Sequence, residues 1–175
     1  MLEKVQLNLL QERSEKEHKY FDIALSGTTA TLVIHIPKKE LIIAYVGNGQ
    51  VAIQKREKIP KESNYTTKPH SPDDANEKIR IYNNQGEIRG SNLDKKSKIY
   101  VRARMYPGLT ISRSLGDLIA HQIGVTSEPE IVFHELVPGD RFFTIASNGV
   151  WNHLQSDDVG EIVSEYGLKE PRSSC

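Results

Sequence analysis

Three apolar, β-branched runs follow one another almost without interruption: Ala30–Ile36, Leu41–Val46 and Gln50–Lys55. Only Pro37 to Glu40 and Gly47-Asn48-Gly49 separate them. Runs of this composition read as strands, and links this short read as turns. The first two runs are therefore expected to pair as an antiparallel hairpin. The third is expected to extend the same sheet beyond the Gly47-Asn48-Gly49 turn. A second pair of strands is expected at Glu130–Leu136 and Arg141–Ala146, joined by the turn Val137-Pro138-Gly139-Asp140.

The intervening segments read as helices and loops. Leu2, Val5, Leu9 and Leu10 recur near helical spacing, so residues 1–21 are expected to form an amphipathic helix that frays into solvent. The polar stretch from Lys58 to Pro72, with three prolines, reads as a surface connection. A helix capped by Asp73 or Asp74 is expected from Ala75 to about Asn84, turning Ile79 and Tyr82 inward and ending before Gly86. Residues Gly90 to Lys98 read as a loop, and Lys98–Val101 as a short strand. Further helices are expected from Ser112 to Gln122 and from Ser156 to Tyr166, the latter with Asp157 and Asp158 in its first turn. Strands, helices, then strands again give an α+β fold class.

Charge and cysteine usage exclude several roles. The 175 residues carry 23 Lys+Arg against 23 Asp+Glu, so no net field draws the chain to nucleic acid or to an anionic membrane. Cys175 is the single cysteine, which leaves no disulfide framework and no cysteine-built zinc site. No run approaches the roughly 20 apolar residues of a membrane span, and the charged start does not resemble a secretory signal. An intracellular, cytoplasmic protein is the expectation.

Six ordered segments carry a resemblance: SGTTATLVI at 26–34, LIIAYVGNG at 41–49, EKIRIYNNQGEI at 77–88, YPGLTISRSLGD at 106–117, SEPEI at 127–131 and DRFFTIASNGVWNHL at 140–154. In this order and spacing they resemble the metal-dependent protein phosphatases of the 2C type, the PPM phosphatases, over roughly residues 22 to 170. The resemblance implies two packed antiparallel sheets flanked by helices, an α-β-β-α sandwich incomplete at both ends, with residues 22–175 forming a partial domain of that kind. It also implies hydrolysis of phosphoserine and phosphothreonine with two Mg²⁺ or Mn²⁺ ions.

Such ions need anionic oxygen ligands. In the family these are Asp residues of an Asp-Gly-His-Gly-Gly-like motif, a Ser-Asp-Gly motif and a late Asp-Asn pair. The sequence has no match to the first and ends before the last. The middle motif reads Ser147-Asn148-Gly149, the family's Gly-Asp-Ser turn reads Gly47-Asn48-Gly49, and a further metal-side Asp reads Asn152. Asn48, Asn148, Gly149 and Asn152 are thus degenerate metal positions. Amides keep a carbonyl oxygen but lose the charge, so metal affinity should fall while repulsion between clustered carboxylates disappears. No catalytic residue and no cofactor is assigned, and two Mg²⁺ or Mn²⁺ ions are expected only in an active form.

Other residues have plainer readings. His70, in Thr67-Lys68-Pro69-His70-Ser71-Pro72, fits a hydrogen-bonding loop. Arg113 and Asp117 fit helix-to-sheet packing rather than catalysis. Trp151 fits the core, and His153 a surface or capping position. The basic residues from Lys95 to Lys98, with Arg102 and Arg104, fit a solvated loop and strand edge. Cys175 fits an inert thiol. The leading functional expectation is a non-catalytic or severely impaired 2C-like domain that binds phosphoproteins or a protein partner. The alternatives are an active phosphatase in a fuller-length form, and a module of a larger assembly joined through exposed sheet edges.

Overall fold

The computed structural model describes residues 2–15, 22–55, 65–90 and 96–167. Strands β2 (Ala30–Ile36) and β3 (Glu40–Val46) form the expected antiparallel hairpin, with Val33 opposite Ile43. Strand β4 (Gln50–Lys55) does not extend it. β3 is the centre of one three-stranded sheet, between β2 and β10 (Glu130–Glu135), and β4 is the centre of another, between β11 (Asp140–Ala146) and β5 (Tyr65–Thr66). Gly47-Asn48-Gly49 therefore carries the chain from one sheet to the next, and the single continuous sheet expected over the three strands is corrected to two.

The expected β10–β11 pair is corrected in the same way. β10 pairs with β3, β11 pairs with β4, and the turn at 136–139 crosses between the sheets. Alternation along a strand reports which face is buried but not which neighbour it bonds, and a short turn closes a hairpin or a crossing equally well. The two sheets pack through Leu41, Ile43 and Tyr45 of β3 and Val51 and Ile53 of β4, all buried, with Val33, Tyr65, Val132 and Leu136 around them. The two-sheet α+β architecture is as expected.

A smaller layer stands beside the sandwich. Strands β6 (Gly86–Gly90), β7 (Ser97–Val101) and β8 (Pro107–Leu109) form a third sheet, and β1 (Gly27–Thr28) pairs with β9 (Leu115–Gly116). Ile81, Ile99, Ala120, Ile123 and Val125 make its core. The helix expected over Ser112 to Gln122 contracts to α3 (Leu118–His121). Gly116 at φ +81° and Asp117 at φ +46° lie in the left-handed region, which a helix does not continue through. Asp117 is buried against Gly27, in keeping with its packing role.

Helix α2 (Ala75–Asn83) is where expected, and the Asp74 carboxylate caps it by accepting from the Asn76 and Glu77 amides at 2.9 and 3.4 Å. Its buried face differs from the expectation. Ile79 and Tyr82 are 58 % and 47 % exposed, whereas Ile81 and Glu77 are buried. The rotation follows from the carboxylate, whose partners lie in the interior (below).

The Lys58–Pro72 reading is corrected over its described part. Thr67 and His70 are buried, and the Thr67 hydroxyl accepts the Val51 amide at 2.9 Å. Residues 58–64 of that reading lie outside the described residues, as do residues 16–21 of the expected N-terminal helix, residues 91–95 of the expected loop, and Cys175.

At the N-terminus, α1 (Leu2–Glu15) is helical, and among its residues whose side chains are described the buried one is Gln6. Its amide accepts from the Gly116 N–H at 2.8 Å and donates to the Gly116 carbonyl at 3.5 Å. Of the expected apolar stripe, Val5 and Leu10 are exposed and Leu9 is half-buried, and the Gln6 amide pair ties this helix to Gly116. The last helix, α5 (Ser156–Ile162), follows α4 (Asn148–Trp151) and continues as a π-helical turn over Val163–Gly167. The Asp158 carboxylate accepts from the Gln155 amide at 2.9 Å.

The inward face of α2 is open to a direct comparison. Ile81→Ala should lower unfolding free energy by about 2–5 kcal/mol in urea titrations, and Ile79→Ala by less than about 0.5 kcal/mol; equal effects would contradict the observed facing.

Candidate functional site

The register of the two sheets assembles the site. Ala146 stands opposite Gln50, so β11 ends beside the start of β4, and Ser147-Asn148-Gly149 follows at the same end of the sandwich as Gly47-Asn48-Gly49. Gly47 adopts φ +97°, and a Cβ there would run into the side chain of Thr29, so the turn requires glycine. The Gly47 N–H donates to His70 Nδ1 at 3.0 Å, and the His70 amide donates to the Gly47 carbonyl at 2.9 Å. The imidazole stacks on Tyr45 with ring centres 4.8 Å apart, and its Nε2 lies 3.4 Å from a Glu130 carboxylate oxygen. Burial, with Arg113 adding to it, pushes the His70 pKa below its ordinary value against the pull of Glu77 and Glu130. The neutral ring accepts the Gly47 amide, which is the loop hydrogen-bonding role expected of His70.

Between these turns lies a cleft of about 240 Å³ whose lining includes Asn48, Asn148 and Asn152. Asn48, distant in sequence from the other two amides, thus shares one space with them. Gly149 does not line it and is exposed on α4. Trp151 does line it, and its indole N–H donates to the Ala146 carbonyl at 2.9 Å, pinning α4 to the end of β11. His153 is exposed and away from the lining.

Two cleft residues were read from the sequence in other roles, Asp73 as a helix cap and Lys96 in a solvated basic stretch. Asp73, ahead of α2, accepts from the Ser97 hydroxyl at 2.5 Å. Lys96, read as part of a solvated basic loop, donates from Nζ to the Asn152 carbonyl oxygen at 2.7 Å. Neither position belongs to a recognisable motif, and only tertiary contacts, Asp73 with Ser97 and Lys96 with Asn152, bring them in.

A buried carboxylate supports this end of the molecule. Glu77 on α2 receives Arg80 in a two-pronged pair at 3.0 and 2.8 Å, Arg113 Nη2 at 2.7 Å and the Ser112 hydroxyl at 2.5 Å. Burial alone would raise its pKa; the hydrogen bonds from Arg80, Arg113 and Ser112 outweigh it and hold the carboxyl at about 2. Arg113 also donates to the Glu128 carbonyl at 3.0 Å. Both arginine and carboxylate are fully engaged in holding α2 to the segments around 112 and 128, which is a packing role.

The donor set does not suit a pair of dications. Among the described lining residues the only carboxylate is Asp73, already hydrogen-bonded to Ser97, and His70 Nδ1 is taken by Gly47. Asn48, Asn148 and Asn152 supply neutral oxygens, and Lys96 supplies a positive charge. Among the described residues no three His, Cys, Asp or Glu side chains gather as a metal cluster. No helix among them is long and apolar enough to cross a membrane.

The family model for protein phosphatase 2C matches residues 2–172. The chain belongs to the protein phosphatase 2C family. Similar 2C-family sequences include "Probable protein phosphatase 2C 35" of Arabidopsis thaliana, 29 % identical over 95 % of this chain and 52 % of the relative. Another is "Probable protein phosphatase 2C 14" of Oryza sativa subsp. japonica, 29 % identical over 89 % of this chain and 30 % of the relative. The chain therefore spans about half the length of the first relative and less of the second. Among solved structures, a serine-threonine phosphatase 2C from Toxoplasma gondii superposes with a TM-score of 0.79 at 18 % identity, covering 94 % of this chain and 53 % of that one. A C. elegans sex determining protein superposes with a TM-score of 0.73 at 19 % identity, covering 95 % of this chain and 36 % of that one. Both likenesses are of fold.

The depressed Glu77 pKa fixes the sign of a pH effect. Its contribution to stability is full above its ordinary value of 4.5 and is lost as pH falls toward about 2. Glu77→Gln should cost about 3–5 kcal/mol at neutral pH and flatten the acid limb of the stability curve between these values. Asp74 and Glu87, also depressed, keep their share of that limb. Denaturant melts across pH 2 to 7 would check this, and an acid limb unchanged in the variant would contradict it.

Proposed function

We propose that this chain is a 2C-family domain with a non-catalytic, regulatory role, binding a phosphoprotein or another protein partner rather than hydrolysing it. The observation that supports the reading is the convergence of Asn48, Asn148 and Asn152 on one cleft that, among the described residues, offers a single lining carboxylate. A hard dication gives up its water for charged oxygens far more readily than for amide carbonyls. The same exchange removes the repulsion that three clustered carboxylates would suffer in a metal-free cleft. The scaffold around it is kept intact by contacts that need no metal: His70 on Gly47, Trp151 on Ala146, and the Glu77 cluster.

A second reading rests on the length relation to the relatives: a longer product carrying further acidic donors would be an Mg²⁺- or Mn²⁺-dependent phosphatase. In that form Asn148 would still stand in the cleft as a neutral ligand, so activity would be restrained until it is reverted.

Phosphate release from a phosphothreonine peptide, with and without millimolar Mn²⁺, tests both. The expected result is no Mn²⁺-dependent turnover by the chain or its Asn148→Asp variant. Mn²⁺-dependent turnover by the chain would overturn the non-catalytic reading. Turnover appearing only with Asn148→Asp in a longer chain would favour the second.

A further inference from the structure

We infer that the Lys96 ammonium acts as a tethered cation for this cleft, standing in for part of the charge that a bound metal would supply. The inference rests on the non-catalytic reading of the same site and extends it by naming what balances the cleft once metal affinity is gone.

Lys96 Nζ donates to Asn152 Oδ1 at 2.7 Å, and both residues line the cleft with Asn48 and Asn148. Its backbone is held in place by the next residue, since the Ser97 hydroxyl donates to Asp73 at 2.5 Å and Ser97 begins β7. Among the described lining residues there is one ammonium, Lys96, and one carboxylate, Asp73. A site with that balance has no surplus negative charge to offer a dication, and a fixed positive charge nearby opposes one directly. An amide carbonyl is a good acceptor for an ammonium, which needs no full counter-charge while it remains in contact with water.

The consequence is that restoring a carboxylate is not enough to restore metal binding. An aspartate at 152 would first pair with Lys96, gaining stability in the absence of metal and losing much of its attraction for a cation. Removing the lysine would release it.

Four proteins test this: the wild type, Lys96→Met, Asn152→Asp, and the double variant. Lys96 and Asn152 are both exposed, so the substitutions leave the core untouched. Two readouts are taken, the melting temperature in EDTA and Mn²⁺ binding followed by the electron paramagnetic resonance of the free ion. The expected result is that Asn152→Asp raises the EDTA melting temperature when Lys96 is present and not when it is methionine. Mn²⁺ affinity of the double variant should exceed that of Asn152→Asp by about tenfold, the order expected for one charge several ångströms from a dication under aqueous screening. Equal Mn²⁺ affinity with and without Lys96, or a thermal gain that persists in the double variant, would overturn the inference. Should no variant bind Mn²⁺, the thermal coupling decides alone. Tight Mn²⁺ binding by the wild type would count against the non-catalytic reading, while the effect of Lys96→Met on that binding would still decide the role of the lysine.

Discussion

One carboxylate, that of Glu77, connects the parts of this molecule that would otherwise be held only by separate apolar cores. Its side chain is 5 % exposed and satisfied by two guanidinium groups and a hydroxyl. A charge so placed is tolerable only with every lone pair engaged, and removing a partner leaves an uncompensated charge inside. From it a chain of bonds runs to the cleft: the Ser112 amide donates to the His70 carbonyl at 3.3 Å, and His70 is bonded twice to Gly47, the residue before Asn48. Arg80 adds the other direction, donating to the Gly124 carbonyl at 2.7 Å and the Ser112 carbonyl at 2.8 Å. The geometry of the Gly47-Asn48-Gly49 turn is thereby coupled to a structural ion cluster.

The sandwich supplies the other half of the arrangement. Because both short connections cross between the sheets, β3 and β11 deliver their C-terminal ends to the same edge of the sandwich, and residues 48 and 148 meet there. A cleft at that edge follows from topology alone. Which chemistry it supports follows from the side chains, which are three asparagine amides and, among the described lining residues, one carboxylate and one lysine whose ammonium lies 2.7 Å from the Asn152 side-chain oxygen. The same frame is able to carry different chemistries, and the side chains at this edge decide between them.

Much of this was legible in the sequence, and the reasons for the remainder are physical. The strands were visible because β-branched runs with clean boundaries leave few other options, and the amide positions because they interrupt recognisable motifs. The pairing of those strands was not visible, since alternation specifies a face and not a neighbour. The facing of α2 was misjudged because apolar residues were assumed to point inward, whereas Glu77, with its three donors, takes an interior position and leaves Ile79 and Tyr82 in solvent. The same assumption failed in part at α1, where Gln6 is buried and Val5 and Leu10 are exposed. Lys96 had no local signal at all, as its partner Asn152 lies 56 residues away.

The central claim is a folded 2C-type scaffold whose cleft does not hold a dication. Two-dimensional amide NMR spectra recorded in EDTA and then with a small excess of Mn²⁺ test it most directly, because a paramagnetic ion broadens the resonances of the groups that bind it. The account predicts a dispersed, fully folded spectrum in EDTA and no selective broadening of the Asn48, Asn148 and Asn152 side-chain amides on adding Mn²⁺. Collapse of the spectrum in EDTA, or broadening centred on those three amides, would contradict it.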